Sequence, residues 1–201
     1  HALLDGYVAA GGSFLDTANS YGPFTCEEMI GRWLERTGNR DRVVLATKVG
    51  KDVKDGHSGL SPKALLYQAE QSLRRLGTDV IDLYQAHGDD PDTPMGEILA
   101  GFSTLVQEGK IRAYGCSNFS GARLQEARET ATRLSLPSFA TTQDFYNLVL
   151  PGIGRDEILP VARAAGMGTI AYKVLAAGFL AGKYRPGEPI PSSPHAEVIA
   201  R

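Results

Sequence analysis

Six short apolar runs, each closing on polar residues, alternate along the chain with longer stretches whose apolar positions recur every three or four residues. The runs are SFLDTA (13–18), VVLATKV (43–49), VIDLYQAH (80–87), IRAYGCSN (111–118), FATTQDFYN (139–147) and GTIAYKVL (168–175). Their length and their β-branched and aromatic content predict strands. The stretches between them predict helices with readable ends. Thr25 and Glu28 have capping-box spacing ahead of Ile30, Trp33 and Leu34. Ser61-Pro62 opens a helix carrying Leu65, Ala69, Leu73 and Leu76 on one face, and Gly77 closes it. Ile98, Leu99, Phe102, Leu105 and Val106 form the next stripe, ending at Gly109. Ser120 starts another, with Leu124, Ala127 and Leu134. The last holds Ile158, Leu159, Ala162 and Ala165, with Pro160 in its first turn and Gly166 at its end. The opening HALLDGYVAAGG reads as a helix already in progress.

Strands alternating with helices imply a parallel sheet built from βαβ crossovers. Polar residues mark the strand ends at Asp16, Lys48, His87, Ser117-Asn118, Gln143 and Tyr172, recurring every 26 to 39 residues. So regular a series of units predicts a (β/α)8 TIM barrel rather than a doubly wound sheet. In such a barrel these residues would all project into the C-terminal mouth, where function gathers. Six strands are three quarters of an eight-stranded barrel. The expected domain is thus a single barrel over residues 1–201 with strands missing in this sequence. Two unpaired edges would be a liability, so the expectation is completion by strands outside this sequence or by another chain. His1 in place of Met carries the same expectation for the N-terminus.

Composition narrows the partners. The 201 residues are 42% hydrophobic and 22% charged, with a formal net charge of -2, enough for one sizeable core. A balance so close to neutral argues against nucleic acid or an anionic membrane, which would need clustered Lys and Arg. No apolar run approaches the roughly 20 residues that span a bilayer. Cys26 and Cys116 lie far apart and outside metal-ligand spacing, as do the histidines, so the expected compartment is reducing and cytoplasmic, with no metal.

The candidate chemistry starts from FLDTANSYG, where a strand ends on Asp16 and Tyr21 follows five residues later. A free tyrosine with a pKa of about 10 is a weak proton donor at neutral pH, and a nearby cation would make it a better one. Lys48 supplies a cation from the next strand end, Asp16 a counter-charge to hold it, and His87 a hydrogen bond for a substrate oxygen. Together they suit protonation of a carbonyl oxygen while another group attacks the carbon. Each also has a plain structural reading: Asp16 as a turn cap, Tyr21 as a packed rim aromatic, Lys48 as a solvated strand end and His87 as a satisfied core histidine. GMGTIA (166–171) follows a helix and opens a strand, the reverse of a dinucleotide fingerprint. GFLAGKY (178–184) is one residue short of a P-loop and lacks its Ser or Thr. Cys26 at a helix start reads as packed or capping rather than reactive. RPGEPIPSSP (185–194) reads as a mobile loop over the mouth or a linker.

Taken in order, FLDTANSYG, LATKVG, LYQAHGDDPDTPMGE, LVQEGKIRAYGCSNFS, TTQDFYNLV and IAYKVLAAGFLAGKY resemble the aldo-keto reductase superfamily over nearly the whole chain. The resemblance implies a barrel that binds NADPH at its mouth and reduces aldehydes and ketones as a soluble oxidoreductase. It casts Tyr21 as general acid, Asp16 and Lys48 as its tuning pair and His87 as the residue that orients the carbonyl. It implies that Ser117, Asn118 and Gln143 hold the nicotinamide carboxamide, that Tyr172 stacks on the ring, and that Lys173, Leu175 and Lys183 are further cofactor contacts. Lys173 stands where the family commonly has serine, which makes it a candidate pyrophosphate contact. The resemblance also makes the six strands the family's second through seventh, so that the N-terminal first strand and the C-terminal eighth strand are lacking here. The basic residues that would choose NADPH over NADH fall beyond Arg201, leaving NADH open. The expected partner is a small-molecule carbonyl, with self-association undecided. The rival reading is a non-catalytic nicotinamide-nucleotide-binding regulatory subunit of the same fold, as in potassium-channel β subunits.

Overall fold

The computed structural model describes residues 1–22, 24–51, 57–149 and 154–185. Residues 186–194 of the Pro-rich stretch therefore lie outside the described residues. Six parallel strands form one sheet: β1 (Phe14–Asp16), β2 (Val44–Val49), β3 (Ile81–Ala86), β4 (Ile111–Ser117), β5 (Thr141–Phe145) and β6 (Gly168–Tyr172). Their spatial order is their chain order. A doubly wound sheet reverses its order at a switch point. An unreversed order instead puts every right-handed crossover on the same side, so the helices cover one face and the sheet curls around the other. The curl is measurable. β1 and β5 are four strands apart, about 19 Å along a flat sheet at the usual strand spacing. Yet Gln143 Nε2 on β5 donates to Asp16 Oδ2 on β1 at 3.0 Å. The sheet is a curled half-barrel, an incomplete (β/α)8 barrel with its polar strand ends facing inward.

The helices are α1 (Ala2–Ala9), α2 (Cys26–Thr37), α3 (Pro62–Leu76), α4 (Met95–Gln107), α5 (Gly121–Leu134) and α6 (Leu159–Ala164), the last entered through a π-helical turn at Gly154–Ile158. Ser61 and Ser120 accept from Ala64 N and Arg123 N, so both cap helices as their positions predict. Gly38 and Gly77 end α2 and α3 with φ of 65° and 61°. The predicted capping box at Thr25 does not form. Thr25 Oγ1 turns back to donate to Gly22 O, and Glu28 pairs forward with Arg32 at 3.9 Å. The strands begin or end up to three residues inside the predicted runs, because pairing stops where the chain turns into the loops.

The core lies between the helices and the convex face of the sheet, and includes the fully buried Trp33, Leu45, Leu65, Leu76, Ile98 and Phe102. Helix α2 packs so closely on α3 that a Cβ at Gly31 would collide with the carbonyl oxygen of Arg75. At the end of the barrel opposite the mouth, Asp82 accepts from Leu45 N at 2.8 Å and pairs with Arg40 and Arg112, each at 2.8 Å. Between α2, β2 and α3, the 1%-exposed Glu27 accepts from Thr47 Oγ1 at 2.6 Å and pairs with Arg75 Nε at 2.7 Å. Thr47 precedes Lys48 on β2, so this buried pair fixes the back of the strand that presents Lys48 to the interior. Glu27→Ala should cost on the order of 2 kcal/mol by leaving the buried Thr47 hydroxyl and the half-buried Arg75 guanidinium without their acceptor, read as a lower urea midpoint with unchanged m value.

Candidate active site

Lys48 is 1% exposed, and a buried ammonium needs an acceptor for each of its three hydrogens. It finds them at one corner. Nζ lies 2.7 and 2.8 Å from the two Asp16 carboxylate oxygens, 2.8 Å from Thr17 O and 3.3 Å from Tyr21 Oη. Because β1 ends at Asp16, the chain turns through Thr17 to Tyr21 directly over the end of β2. The tyrosine is fixed by its own backbone, Tyr21 N donating to Ala18 O and Tyr21 O accepting from Thr25 N and Cys26 N. With Tyr21 Oη accepting from Lys48, the phenol hydrogen remains available to donate into the mouth. His87 follows β3 and meets Tyr21 edge to face, with centroids 5.4 Å apart. These four predicted residues meet at one place.

The electrostatics differ from the sequence-based expectation at Tyr21. Its phenol is pushed above the ordinary tyrosine value, by burial first and by the Asp16 carboxylate second. A free ammonium would lower it, but the Asp16 carboxylate neutralises most of the Lys48 field at close range. Burial likewise pulls Lys48 down while Asp16 pulls it up, and the burial effect is the larger. His87 is 5% exposed, and burial followed by the charges of Lys51 and Lys48 pushes its pKa from 6.5 down to about 4. At neutral pH it is an uncharged imidazole that can donate one hydrogen bond. Its Nδ1 is buried with no hydrogen-bond partner among the described residues.

A polar layer floors this corner. Gln143 Nε2 donates to Asp16 Oδ2 at 3.0 Å, and Gln143 Oε1 accepts from Gln85 Nε2 at 3.3 Å. Asp16, Gln85 and Gln143 come from β1, β3 and β5, the alternate-strand layering of barrel interiors. At Gly115 a Cβ would collide with Thr141, which itself donates to Gln85 Oε1 at 3.4 Å. Gln85 was missed in the sequence, although it sits two residues before His87 and so on the same strand face.

Asn118 lies just beyond β4 with φ of 58°. Its Nδ2 donates to His87 O at 3.1 Å and Ser117 Oγ at 2.9 Å, and its Oδ1 accepts from Tyr172 Oη at 2.6 Å. Ser117, Asn118, Gln143 and Tyr172 thus surround the same mouth. Two side-chain amides and a hydroxyl offer both donors and acceptors, the chemistry that a carboxamide requires. Lys173, Leu175 and Lys183 stand apart, exposed on the segment after β6. Lys173 Nζ lies 5.9 Å from the Phe145 ring centroid, and Lys183 Nζ 5.2 Å from that of Tyr184. Among the described residues, no group of three or more His, Cys, Asp or Glu could hold a metal ion, and no helix is long and apolar enough to cross a membrane.

Comparison with known proteins agrees with the barrel architecture. Residues 1–199 match the model of the aldo/keto reductase family. The chain is 39% identical over 192 residues to the uncharacterized oxidoreductase YrpG of Bacillus subtilis, covering 90% of this chain and 59% of that protein. It is 36% identical over 202 residues to the L-glyceraldehyde 3-phosphate reductase of Escherichia coli K12, covering 98% of this chain and 58% of the relative. It is 34% identical to the aryl-alcohol dehydrogenase [NADP(+)] of Phanerodontia chrysosporium, covering 88% of this chain and 48% of the relative. The chain thus spans about half the length of these relatives.

The low pKa of His87 has a consequence for stability. Between about pH 6.5 and about 4 the unfolded imidazole takes up a proton that the native site refuses, so this contribution to stability is full above that window and is lost as pH falls through it. His87→Gln should shrink the difference in unfolding free energy between pH 7 and pH 4 by on the order of 2 kcal/mol, measured by urea titration of both proteins at each pH.

Proposed function

Because the chain belongs to the aldo/keto reductase family, we propose that the protein it comes from is an NADPH-dependent reductase of aldehyde or ketone carbonyls, with Tyr21 as general acid. The observation that carries this is the Lys48 ammonium held between Asp16 and Tyr21 Oη, which orients the phenol proton outward. A nicotinamide cofactor, when bound, supplies the hydride. The chain's own residues do the rest. Tyr21 Oη gives its proton to the carbonyl oxygen as negative charge develops there, and neutral His87 donates a second hydrogen bond to the same oxygen. Lys48 answers the charge left on the phenolate, and Asp16 holds Lys48 in place. The raised pKa of the Tyr21 phenol means that it keeps its proton until an acceptor arrives. Ser117, Asn118 and Gln143 would hold the carboxamide, and Tyr172 would stack against the ring.

The proton donor selects for a carbonyl oxygen. One relative bears a name for a phosphorylated aldehyde and another for an aryl alcohol, so substrates of both kinds belong in the first panel. The intact contact between Lys48 and Tyr21 favours an enzyme over the regulatory-subunit reading. A single barrel domain, completed by strands outside residues 1–201, and a cytoplasmic location complete the proposal.

Two measurements test it. In the full-length protein, Tyr21→Phe should lower kcat by about 10²–10⁴-fold, the usual contribution of general acid catalysis, while cofactor affinity stays within about twofold. Steady-state cofactor oxidation with an aldehyde panel reads this, and near-wild-type turnover would remove Tyr21 from the chemistry. For Lys173, exposed just after β6, Lys173→Ser should weaken NADPH binding several-fold and flatten its dependence on salt. Unchanged affinity at both low and high salt would return Lys173 to an ordinary rim lysine.

A further inference from the structure

Resting on the nicotinamide reading above, we propose that Asp144 is a positioning residue whose carboxylate fixes Asn118 in the conformation that receives the cofactor's carboxamide. Asp144 follows Gln143 on β5, so the two side chains leave opposite faces of the strand. Gln143 points into the barrel, and Asp144 is buried on the other side at 7% exposure. There Asp144 Oδ1 accepts from Asn118 N at 3.1 Å, and Oδ2 accepts from Thr142 Oγ1 at 2.5 Å. No cation pairs with it among the described residues. Burial raises its pKa, against the two donors that lower it.

A buried carboxylate without a counter-ion is costly. What it holds gives the reason to keep it. Asn118 has a φ of 58°, a left-handed conformation that asparagine tolerates better than most residues and that the hydrogen bonds to its N–H hold here. Its N–H is shared between Asp144 Oδ1 and Gln143 O, the latter at 3.3 Å. Hydrogen bonds to a charged acceptor are the stronger kind, so the carboxylate is the main anchor of this backbone unit. The side chain that it orients reaches the ends of three strands, at His87 O, Ser117 Oγ and Tyr172 Oη. Freed from Asp144, Asn118 could rotate toward ordinary backbone angles and carry its amide away from the mouth, while the fold around β5 kept its strand pairing.

The test compares the affinity of the full-length protein for NADPH with that for 2′-phospho-ADP-ribose, which lacks the nicotinamide. Asp144→Ala should weaken NADPH binding about tenfold, the size of one hydrogen bond to a charged group, and leave the fragment within about twofold. Asp144→Asn keeps an acceptor for Asn118 N–H and should retain most of the affinity. In an Asn118→Ala background, Asp144→Ala should add no further loss. Equal losses for both ligands, an Asn variant as weak as the Ala variant, or a full additional loss in the Asn118→Ala background would each overturn the proposal. Wild-type protein that binds NADPH no more tightly than the fragment would instead overturn the nicotinamide reading, and this proposal with it.

Discussion

A lysine ammonium buried at the end of a barrel strand must find an acceptor for every hydrogen, and the geometry of this site follows from that requirement. Lys48 reaches Asp16, Thr17 O and Tyr21 Oη, all within one turn of chain after β1. The apolar run of β1 therefore ends in an acid because the neighbouring strand buries a cation beside it. A tyrosine follows five residues later because the loop must bring one more acceptor over the same ammonium. Gln143 and Gln85 extend the network across the interior, so that Asp16 is held from β5 as well as from β2.

Several other ion pairs use arginine, while Lys110, with its side chain 31% exposed, pairs with Glu70 and Glu108. Glu27 pairs with Arg75, Asp82 with Arg40 and Arg112, and Asp89 with Arg123. Each lies behind the sheet, at the closed end or between loops, where a permanent charge and a planar fork give rigid attachment. Among the described residues, the buried lysine is Lys48 at the mouth, whose protonation responds to its surroundings. Arginine gives these scaffold pairs constancy, and a buried lysine gives the site an adjustable charge.

The alternation of β-branched runs with 3.6-periodic stretches settled the parallel sheet and the barrel class, because each period leaves a distinct mark on a linear chain. The spacing of polar strand ends even placed Asp16, Lys48, His87, Ser117 and Gln143 on one rim. Serine caps at Ser61 and Ser120 were legible for the same reason, since a cap is a local hydrogen bond within four residues. Thr25 failed because its hydroxyl had a competing local acceptor at Gly22 O, a choice decided by the path of the turn. Gln85 and Asp144 were passed over because glutamine and aspartate near strand ends are ordinary until a partner on another strand is known.

The sequence by itself thus determined which residues reach the mouth, since that depends on periodicity along the chain. Only the tertiary structure decided what they do to one another. It buried Tyr21 beside the Asp16 carboxylate, so that its pKa rises rather than falls, and burial with nearby lysines pushed His87 down to about 4. It also turned Gln143 toward Asp16 and placed a carboxylate under Asn118. These outcomes depend on burial and on distances between strands far apart in sequence, where a shift of one or two ångströms changes which charge dominates.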